Sequence, residues 1–320
     1  MNESPVFIVG CPRSGTTLLR DLLRSHPRLT FPFESHFIPS FFRRYGDPRS
    51  EREAIELARR ILHLEWIRSW NLPVEPAAFA GDRSFGQVLS RLYGIWALRE
   101  GKPRWGDKTP HYVINIPVLR EIFPSAKVIH IIRDGRDVAL SWLRIGLEPR
   151  NLFTAACLWK RYVSAGCQAG KALSRDYYFE VRYESLLSRP AETMQAVCDF
   201  INEPYSEAVL KPNTLSRVFR QPIIGKQRIR KELPLTINQT NTAKWKTAMS
   251  LSDRAMFESV AGDCLASLGY ETEGIARPIG KPEEWIWKVH HKFWWTVTRL
   301  NMQGNYRWLA TAFKLRRTRR

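Results

Sequence analysis

Hydrophobic positions near the start of the chain predict a short buried strand and an amphipathic helix. Residues 6–9 are all apolar, which is typical of a strand that is covered on both faces. One face of the following helix is marked by Leu18, Leu19, Leu22 and Leu23. His26 and Pro27 end this helix, because a proline cannot donate a backbone hydrogen bond. Residues 5–23 are therefore predicted as strand, loop and helix.

Farther along the chain, the same pattern predicts two more strands and a series of helices. The strands are predicted at 127–132 and 177–181. A capping box at 50–53 begins a helix whose apolar side is Ile55, Ala58, Ile61, Leu62 and Trp66. Further helices are predicted at 85–98, 112–123, 152–173, 191–201 and 253–268, whereas 105–110, WGDKTP, is predicted as a turn. We therefore predict an α/β fold with a P-loop-like central parallel β-sheet flanked by α-helices and a C-terminal helical extension.

Changes in composition divide the chain into predicted regions. Residues 1–275 are predicted to form one domain, in which a helical insert at about 47–99 forms a wall of a substrate cleft. Residues 217–231 are basic and contain proline, as expected of a mobile flap. The basic extension 276–320 holds eleven Lys and Arg, two Glu and five of the twelve tryptophans.

The extension has two interpretations. A helical face is shared by Ile286, Val289, Phe293, Val297 and Leu300. A basic helix with an aromatic face is typical of an interfacial helix that lies on an anionic membrane. A helix that packs on the main domain and ends in a solvated basic segment explains the same pattern.

The balance of charge favours anionic partners. Lys and Arg number 50 against 31 Asp and Glu, which gives a formal net charge of +19. Nucleotides, sulfated or phosphorylated ligands and anionic lipids all suit this charge, and no specific nucleic-acid partner is predicted. The five cysteines are scattered and odd in number, which argues against a disulfide framework or a zinc site. Neither a signal peptide nor a membrane-spanning apolar run is recognised, so the protein is predicted to be cytoplasmic.

The loop between the first strand and helix has the chemistry of an anion site. A helix start presents unpaired N–H groups and the positive end of its dipole. Arg13 adds a planar cation, while Ser14, Thr16 and Thr17 add hydroxyl donors. The glycine spacing matches the triphosphate-binding loop G-x-x-x-x-G-K-[ST], but Thr16 takes the place of its lysine. This difference argues against ATP, and an ordinary strand-to-helix turn remains the alternative.

A second positive site follows the strand predicted at 127–132. Arg133 stands at the carboxyl end of that strand, and Ser141 lies two turns along the next helix, which Asp134 can cap. Ligands of open α/β sheets bind outside these strand ends. Two arginine-bearing ends therefore indicate a ligand with two separate anionic groups. A turn at 133–137 whose charges pair with one another is the alternative.

Glu34 is a carboxylate among aromatic residues, in the sequence FPFESHF at 31–37. An apolar setting raises the pKa of a carboxyl group and makes it a better proton acceptor. The alternative is a salt bridge to one of the many arginines.

Six motifs, in their order and spacing, resemble the sulfotransferases that use 3′-phosphoadenosine-5′-phosphosulfate (PAPS). They are CPRSGTTLL, FESHFIP, WGDKTP, FPSAKVIHIIRDGRDVALSW, VRYESLL and AKW. The resemblance covers roughly residues 5–270 and points to the tyrosylprotein-sulfotransferase-like and bacterial branch.

The resemblance implies a cofactor site. The residues that would hold the 5′-phosphosulfate are Arg13, Ser14, Gly15, Thr16 and Thr17. Arg133 and Ser141 would hold the 3′-phosphate, in agreement with a ligand that carries two anionic groups. Tyr183 would lie near the adenosine, and Lys244 would close over the cofactor.

The resemblance also implies a mechanism. Glu34 would take the proton from an acceptor hydroxyl as that hydroxyl attacks sulfur in line. Arg13, Lys108 and the loop N–H groups would stabilise the leaving 3′,5′-bisphosphate. Since fixed cations take the place of a metal, no metal is expected.

The acceptor is predicted only as a hydroxyl on a phenol, sugar, lipid or peptide. A family serine is replaced by Ala243, with Thr242 beside it, and no secretory anchor is recognised. These two departures argue against protein tyrosine. Two alternative functions stay open: an ATP-dependent phosphotransferase that uses Lys108, and a non-catalytic binder of anionic polymers or membranes.

Overall fold

The computed structural model describes residues 4–145, 149–211 and 240–302. The flap predicted at 217–231 lies outside these residues, as does the tail after 302. The chain divides into two compact units, here called the first unit (Met1–Arg133 with Ala165–Thr240) and the second unit (Asp134–Ser164 with Asn241–Arg320). The domain boundary expected at residue 275 stays a prediction.

A parallel five-stranded sheet forms the centre of the first unit. Its strands are β1 (Val6–Gly10), β2 (Leu29–Thr30), β3 (Arg104–Lys108), β4 (Lys127–Ile132) and β5 (Tyr178–Arg182). They are arranged in the order β2-β3-β1-β4-β5, with Val6 opposite both Gly106 and Lys127. After β1 the chain forms β2 and β3 on one side of that strand and then β4 and β5 on the other side. The topological switch point therefore lies between β1 and β4. The predicted α/β fold with a parallel sheet is confirmed.

Thirteen α-helices surround the sheet or build the second unit, within the described part of the chain. They are α1 (Thr16–Arg24), α2 (Ile38–Tyr45), α3 (Glu51–Leu62), α4 (Glu65–Arg68), α5 (Phe85–Arg99), α6 (Ile116–Ile122), α7 (Gly135–Ile145), α8 (Leu152–Ala172), α9 (Tyr183–Ser188), α10 (Pro190–Phe200), α11 (Trp245–Ala248), α12 (Leu251–Ser267) and α13 (Lys281–Met302). Short 3₁₀ helices cover Pro76–Phe79, Pro110–Asn115 and Glu207–Leu210.

The prediction of a turn at WGDKTP is wrong, because most of this segment belongs to strand β3. All five residues of β3 are buried although most of them are polar. Side chains of other elements contact this strand: the Tyr93 hydroxyl donates to Asp107 Oδ2 at 2.6 Å, and the Trp105 ring stacks on Tyr93 with centroids 4.4 Å apart. The helix predicted at 112–123 also begins later, since its first turn is the 3₁₀ helix Pro110–Asn115.

The predicted start of helix α3 is confirmed, but only one of the two hydrogen bonds of the predicted capping box forms. The Ser50 hydroxyl accepts the Glu53 N–H at 3.2 Å, whereas the Glu53 carboxylate accepts from the Arg49 N–H instead of from Ser50. The buried face of α3 is shifted from the prediction and consists of Ala54, Leu57, Ala58 and Ile61.

Helix α13 packs within the second unit through one face and exposes another. Asn151 Nδ2 donates to the Trp287 carbonyl at 2.9 Å on the packed face. The exposed apolar side chains of α13 are Trp285, Ile286, Val289, Phe293 and Trp295. Among the described helices, none combines the length and the apolar character needed to cross a bilayer.

Candidate active site

Each of the five strands leads into one of the predicted site residues. Arg13 lies in the loop after β1, Glu34 follows β2, Lys108 ends β3, Arg133 follows β4 and Tyr183 follows β5. Because all pairs of strands are parallel, the five carboxyl ends share one edge of the sheet. The strand order therefore places Glu34 next to Lys108 and the Arg13 loop next to Arg133.

The loop after β1 leads into a helix start that lacks a side-chain cap. Gly15 is the residue that precedes α1, with φ of 95°, and as a glycine it has no side chain that could cap the helix. Arg13 is exposed and also has a positive φ, 76°. The buried Ser14 hydroxyl makes no hydrogen bond of good geometry with the described residues, and the thiol beside it, Cys11, is a weak partner. These groups suit the binding of an anion.

Arg133, Tyr183 and Gly15 form a packed layer beside this loop. The Arg133 guanidinium lies 4.4 Å from the centre of the Tyr183 ring, and its Nη1 donates to the Arg13 carbonyl at 3.3 Å. A Cβ atom on Gly15 would lie 2.3 Å from the same ring. The structure thus brings together the two arginine-bearing strand ends that the sequence singled out.

Glu34 forms a salt bridge with a lysine. Lys108 donates to Glu34 Oε1, and the side chains are only 18% and 2% exposed, respectively. Burial acts to raise the pKa of Glu34, but the charge of Lys108 and hydrogen bonds from Lys108 and His36 outweigh it and hold the pKa far below its ordinary value. The expectation that an apolar setting raises this pKa is therefore wrong. The sequence could not show that the neighbouring strand supplies a cation.

Three further residues, which the sequence reasoning did not single out as site residues, lie beside Glu34 or beside its neighbour His36. His36 Nε2 lies 3.0 Å from Glu34 Oε2. The Trp66 and His111 rings have centroids 5.2 Å and 6.3 Å from the His36 ring. For His36 the sequence offered one signal, its position two residues after Glu34. For Trp66 it offered none, because this residue comes from the distant helical insert. One residue of the insert thus borders His36.

The second unit holds the remaining two predicted site residues. Ser141 is half-buried on α7, and the exposed Lys244 directly precedes α11. The Trp245 N–H donates to Asp137 Oδ1 at 3.0 Å and so joins α11 to α7.

The charged turn at 133–137 combines the two alternatives considered for it, a turn whose charges pair with one another and an anion site. Arg136 donates to the Asp134 carboxylate, and its guanidinium lies 3.4 Å from the centre of the Trp245 ring. Asp134 also accepts the Arg136 N–H at 2.9 Å and thereby caps α7, as predicted. Self-pairing therefore applies to Arg136, while Arg133 contacts the anion loop.

One group of side chains in the described residues has the spacing for a metal ion. Ligand atoms of His130, Cys167 and Glu180 all lie within 4.8 Å of one another. The Tyr178 hydroxyl bridges two of them, at 2.6 Å from His130 Nδ1 and 3.0 Å from Glu180 Oε1. The expectation that no metal is needed stays a prediction.

Comparison with known proteins identifies a family and relatives that resemble this chain. The family model described as "Sulfotransferase family" matches residues 5–207. Protein-tyrosine sulfotransferase A of Caenorhabditis elegans is 26% identical over 301 residues, which cover 88% of this chain and 71% of that protein. Nodulation protein NoeE of Sinorhizobium fredii is 26% identical over 330 residues, covering 93% and 75%. The solved sulfotransferase domain from the curacin biosynthetic pathway has a TM-score of 0.57 at 23% identity, covering 84% of this chain and 99% of that one.

Proposed function

The chain belongs to the sulfotransferase family, and from this premise we propose that it transfers the sulfuryl group of PAPS to an acceptor hydroxyl. One observation carries the proposal: the Glu34–Lys108 ion pair and the Arg13–Arg133 contact lie at the same edge of the sheet, at the ends of adjacent strands. This arrangement combines a carboxylate for proton removal with fixed cations for a doubly anionic nucleotide.

The proposed cofactor site follows the strand order. The 5′-phosphosulfate would bind the loop of Arg13, Ser14, Gly15, Thr16 and Thr17, where the uncapped start of α1 favours an anion. Arg133 would bind the 3′-phosphate, and Tyr183 would lie near the adenosine. Ser141 and Lys244 are assigned to the 3′-phosphate and to cofactor closure from the motif match alone.

The proposed reaction needs no redox step. An acceptor oxygen bonds to sulfur while the bond from sulfur to the bridging phosphate oxygen breaks, and the bisphosphate leaves with the negative charge. Lys108 and Arg13 would stabilise that charge, and Glu34 would take the proton from the acceptor hydroxyl as general base. These fixed charges favour a reaction that does not require magnesium.

A binding experiment without metal tests the cofactor. In buffer containing EDTA, adenosine 3′,5′-bisphosphate should bind the purified protein and ATP should compete poorly, because Thr16 replaces the lysine of triphosphate-binding loops. Tight magnesium-dependent ATP binding would instead favour a phosphotransferase.

A transfer experiment tests the reaction and searches for the acceptor. Sulfur-labelled PAPS is incubated with the protein and a cell extract, and mass spectrometry seeks products that have gained one SO₃ group on a phenol, sugar, lipid or peptide. Glu34→Gln should lower turnover by about 100-fold or more while it retains bisphosphate binding. The matched control is Glu121→Gln, at an exposed position of α6. No transfer by the parent chain, together with bisphosphate binding that is unchanged in Glu34→Gln, would favour a non-catalytic anion binder.

We also propose that α13 brings a cytoplasmic enzyme to an anionic membrane. Four neighbouring side chains of α13 are 42–66% exposed: Trp285, Ile286, Val289 and Phe293. Lysines at 288 and 292 lie on the same helix and suit anionic headgroups. All five cysteines are free, as expected in a reducing compartment.

Vesicle sedimentation tests the membrane contact. The double variant Ile286→Ser/Phe293→Ser should bind phosphatidylserine vesicles at least several-fold more weakly than the parent chain. The control Leu98→Ser/Leu251→Ser alters exposed leucines on other helices and should bind as the parent does. Equal binding by all three proteins would contradict the proposal.

A further inference from the structure

A group of polar side chains lies where helix α8 covers strands β4 and β5, and none of its members is assigned to the cofactor. His130 and Glu180 stand opposite one another in the register of the two strands, and Tyr178 shares the face of β5 that carries Glu180. Cys167, on α8, has its sulfur within 4.8 Å of the donor atoms of His130 and Glu180. The sequence argues against a zinc site because its cysteines are scattered, but the fold gathers these donors from three separate elements.

Two glycines allow α8 to approach this face of the sheet closely. A Cβ atom on Gly166 would lie 2.3 Å from the His130 ring. A Cβ atom on Gly170 would lie 2.1 Å from the Tyr178 ring. A larger residue at either position would displace the helix or the ring, because protein interiors are close-packed. The close approach brings Cys167, the neighbour of Gly166, within reach of both strands.

The hydrogen bonds of Tyr178 determine which nitrogen of His130 carries the hydrogen. Burial and the charge of Glu180 raise the pKa of Tyr178 well above its ordinary value, and its hydroxyl donates to Glu180 Oε1 at 3.0 Å. Because that hydrogen is already used, the donor of the 2.6 Å bond between Tyr178 and His130 is the Nδ1–H. The lone pair then resides on Nε2, which is buried and makes no hydrogen bond with the described residues. A neutral imidazole with such a lone pair is the form of histidine that binds metals.

The other two donors can adjust their positions to an ion. Glu180 is exposed and Cys167 is half-buried, so both side chains can rotate and an ion can reach them from solvent. Bond lengths of about 2.0–2.3 Å place the ligands of a tetrahedral zinc ion about 3.3–3.6 Å apart. Donor atoms that now lie within 4.8 Å of one another therefore need to approach by at most about 1.5 Å.

The charges around the group are compatible with a divalent cation. Burial and the positive charge of Arg182 lower the pKa of His130 to about 3, so this ligand binds a metal without first losing a proton. The Cys167 thiolate and the Glu180 carboxylate balance the two charges of the ion, while Arg182 opposes its binding. Thiolate and imidazole ligands favour zinc, whereas Mg²⁺ and Ca²⁺ prefer oxygen ligands.

We propose that His130, Cys167 and Glu180 bind a zinc ion that joins α8 to the edge of the sheet. The Tyr178 hydroxyl lies behind these ligands and orients two of them, as residues around metal ligands commonly do. Strand β5 is last in the strand order, so a neighbouring strand supports it on one side only. Zinc would connect this edge strand to α8 and so stabilise the folded chain. The site takes no part in the proposed sulfuryl transfer.

Cobalt is the spectroscopic probe of these ligands. Co²⁺ is added to the purified full chain in buffer with tris(carboxyethyl)phosphine, which keeps the thiols reduced. A thiolate bound to Co²⁺ gives a charge-transfer band in the near ultraviolet, which the parent chain should show and which Zn²⁺ should abolish by displacing Co²⁺. Cys167→Ala should lack the band. The matched control Cys157→Ala removes another half-buried thiol of α8 and should retain it.

Competition with a chromophoric chelator measures the affinity for Zn²⁺. Cys167→Ala and Glu180→Gln each remove a ligand and should weaken binding by about 100-fold or more. Tyr178→Phe removes only the supporting hydroxyl and should weaken binding by about 10-fold, within the range usual for residues behind the ligands. The control Glu192→Gln alters an exposed carboxylate on α10 and should match the parent.

Thermal unfolding completes the test. Zn²⁺ should raise the unfolding temperature of the parent and of Cys157→Ala but not of Cys167→Ala, because an ion that binds the folded chain stabilises it. The absence of a thiolate band in the parent, or its survival in Cys167→Ala, would overturn the proposal. Parental zinc affinity in Glu180→Gln would do the same, and this exposed position remains informative if Cys167→Ala does not fold.

Binding of adenosine 3′,5′-bisphosphate in EDTA separates this proposal from the proposed function. Each folded variant should bind the bisphosphate as the parent does, since none of the altered residues is assigned to the nucleotide site. A parent chain that binds Zn²⁺ through Cys167 but not the bisphosphate would contradict the proposed function alone. A parent chain that binds the bisphosphate but not Zn²⁺ would contradict the zinc site alone.

Discussion

At the scale of single residues, the Glu34–Lys108 pair links stability to pH. Lys108 holds the pKa of Glu34 far below its ordinary value of 4.5 despite the burial of the carboxyl. A carboxyl whose pKa is lowered by folding stabilises the fold above its unfolded pKa, and this contribution is lost as the pH falls. The stabilisation by Glu34 should therefore be complete at pH 6 and decrease below about pH 5.

We predict that Glu34→Gln lowers the free energy of unfolding by about 3 kcal/mol at pH 7, because Lys108 keeps its charge in a buried position without a counter-ion. Denaturant unfolding at pH 7 and at successively lower pH values measures the difference from the parent. That difference should shrink as the solution becomes acidic, and adding Lys108→Met to Glu34→Gln should recover part of the loss. A difference independent of pH would contradict an ion pair at this position.

Gly15 makes the cofactor site sensitive to a single methyl group. Its φ of 95° and its contact with the Tyr183 ring leave no room for a Cβ atom, which would lie 2.3 Å from that ring. Gly15→Ala should displace Tyr183 and the Arg133 guanidinium that rests on it, and so weaken bisphosphate binding by 10-fold or more, an energy of about 1.4 kcal/mol. Isothermal titration calorimetry with adenosine 3′,5′-bisphosphate measures the change in affinity.

The control for Gly15→Ala is Gly94→Ala, in the middle of α5, where an added Cβ meets no atom within 4 Å. This variant should bind as the parent does and gain about 0.5–1 kcal/mol of stability from helix propensity. Parental affinity in Gly15→Ala would indicate that Tyr183 and Arg133 do not contribute to the nucleotide site.

At the scale of elements, β3 shows why a strand can be missed: three of the five strands were predicted, whereas β2 and β3 were not. Strands β1 and β4 consist mostly of apolar residues, so hydrophobicity predicts them. β3 has the sequence RWGDK, and its charged side chains bond to residues outside the strand: Arg104 to Glu203, Asp107 to Tyr93 and Lys108 to Glu34. Local pattern contains no information about such partners. The same limit applies to the site, since Arg13 and Arg133 could be predicted from strand ends but the Lys108 partner of Glu34 could not.

We predict that Tyr93→Phe destabilises the protein by about 1–3 kcal/mol, because it removes the 2.6 Å hydrogen bond to a buried carboxylate. Burial raises the pKa of Asp107, and the hydrogen bond from Tyr93 is the largest effect that opposes this. Without Tyr93, the penalty for ionising Asp107 should grow, so the variant should lose more stability at pH 7 than near pH 4. Thermal unfolding across this range measures the effect, and Tyr45→Phe, at the end of α2, is the control. A loss that is equal at both pH values would mean that Asp107 does not depend on Tyr93.

At the scale of the whole molecule, the net charge of +19 should govern how fast anionic ligands arrive. An excess of positive charge attracts an anion over distances comparable to the Debye length, which is about 30 Å at 0.01 M salt and about 8 Å at 0.15 M. Attraction of this kind accelerates association and has a smaller effect on dissociation, which depends on contacts in the bound state.

Stopped-flow measurements of bisphosphate binding should therefore show an association rate that falls 10-fold or more between these salt concentrations, within the range of about 10–10³ for steered encounters. Neutral adenosine provides the control ligand, since its association should change little. A bisphosphate association rate that is insensitive to salt, combined with a strongly increased dissociation rate, would instead place the electrostatic contribution in the close contacts of Arg13 and Arg133.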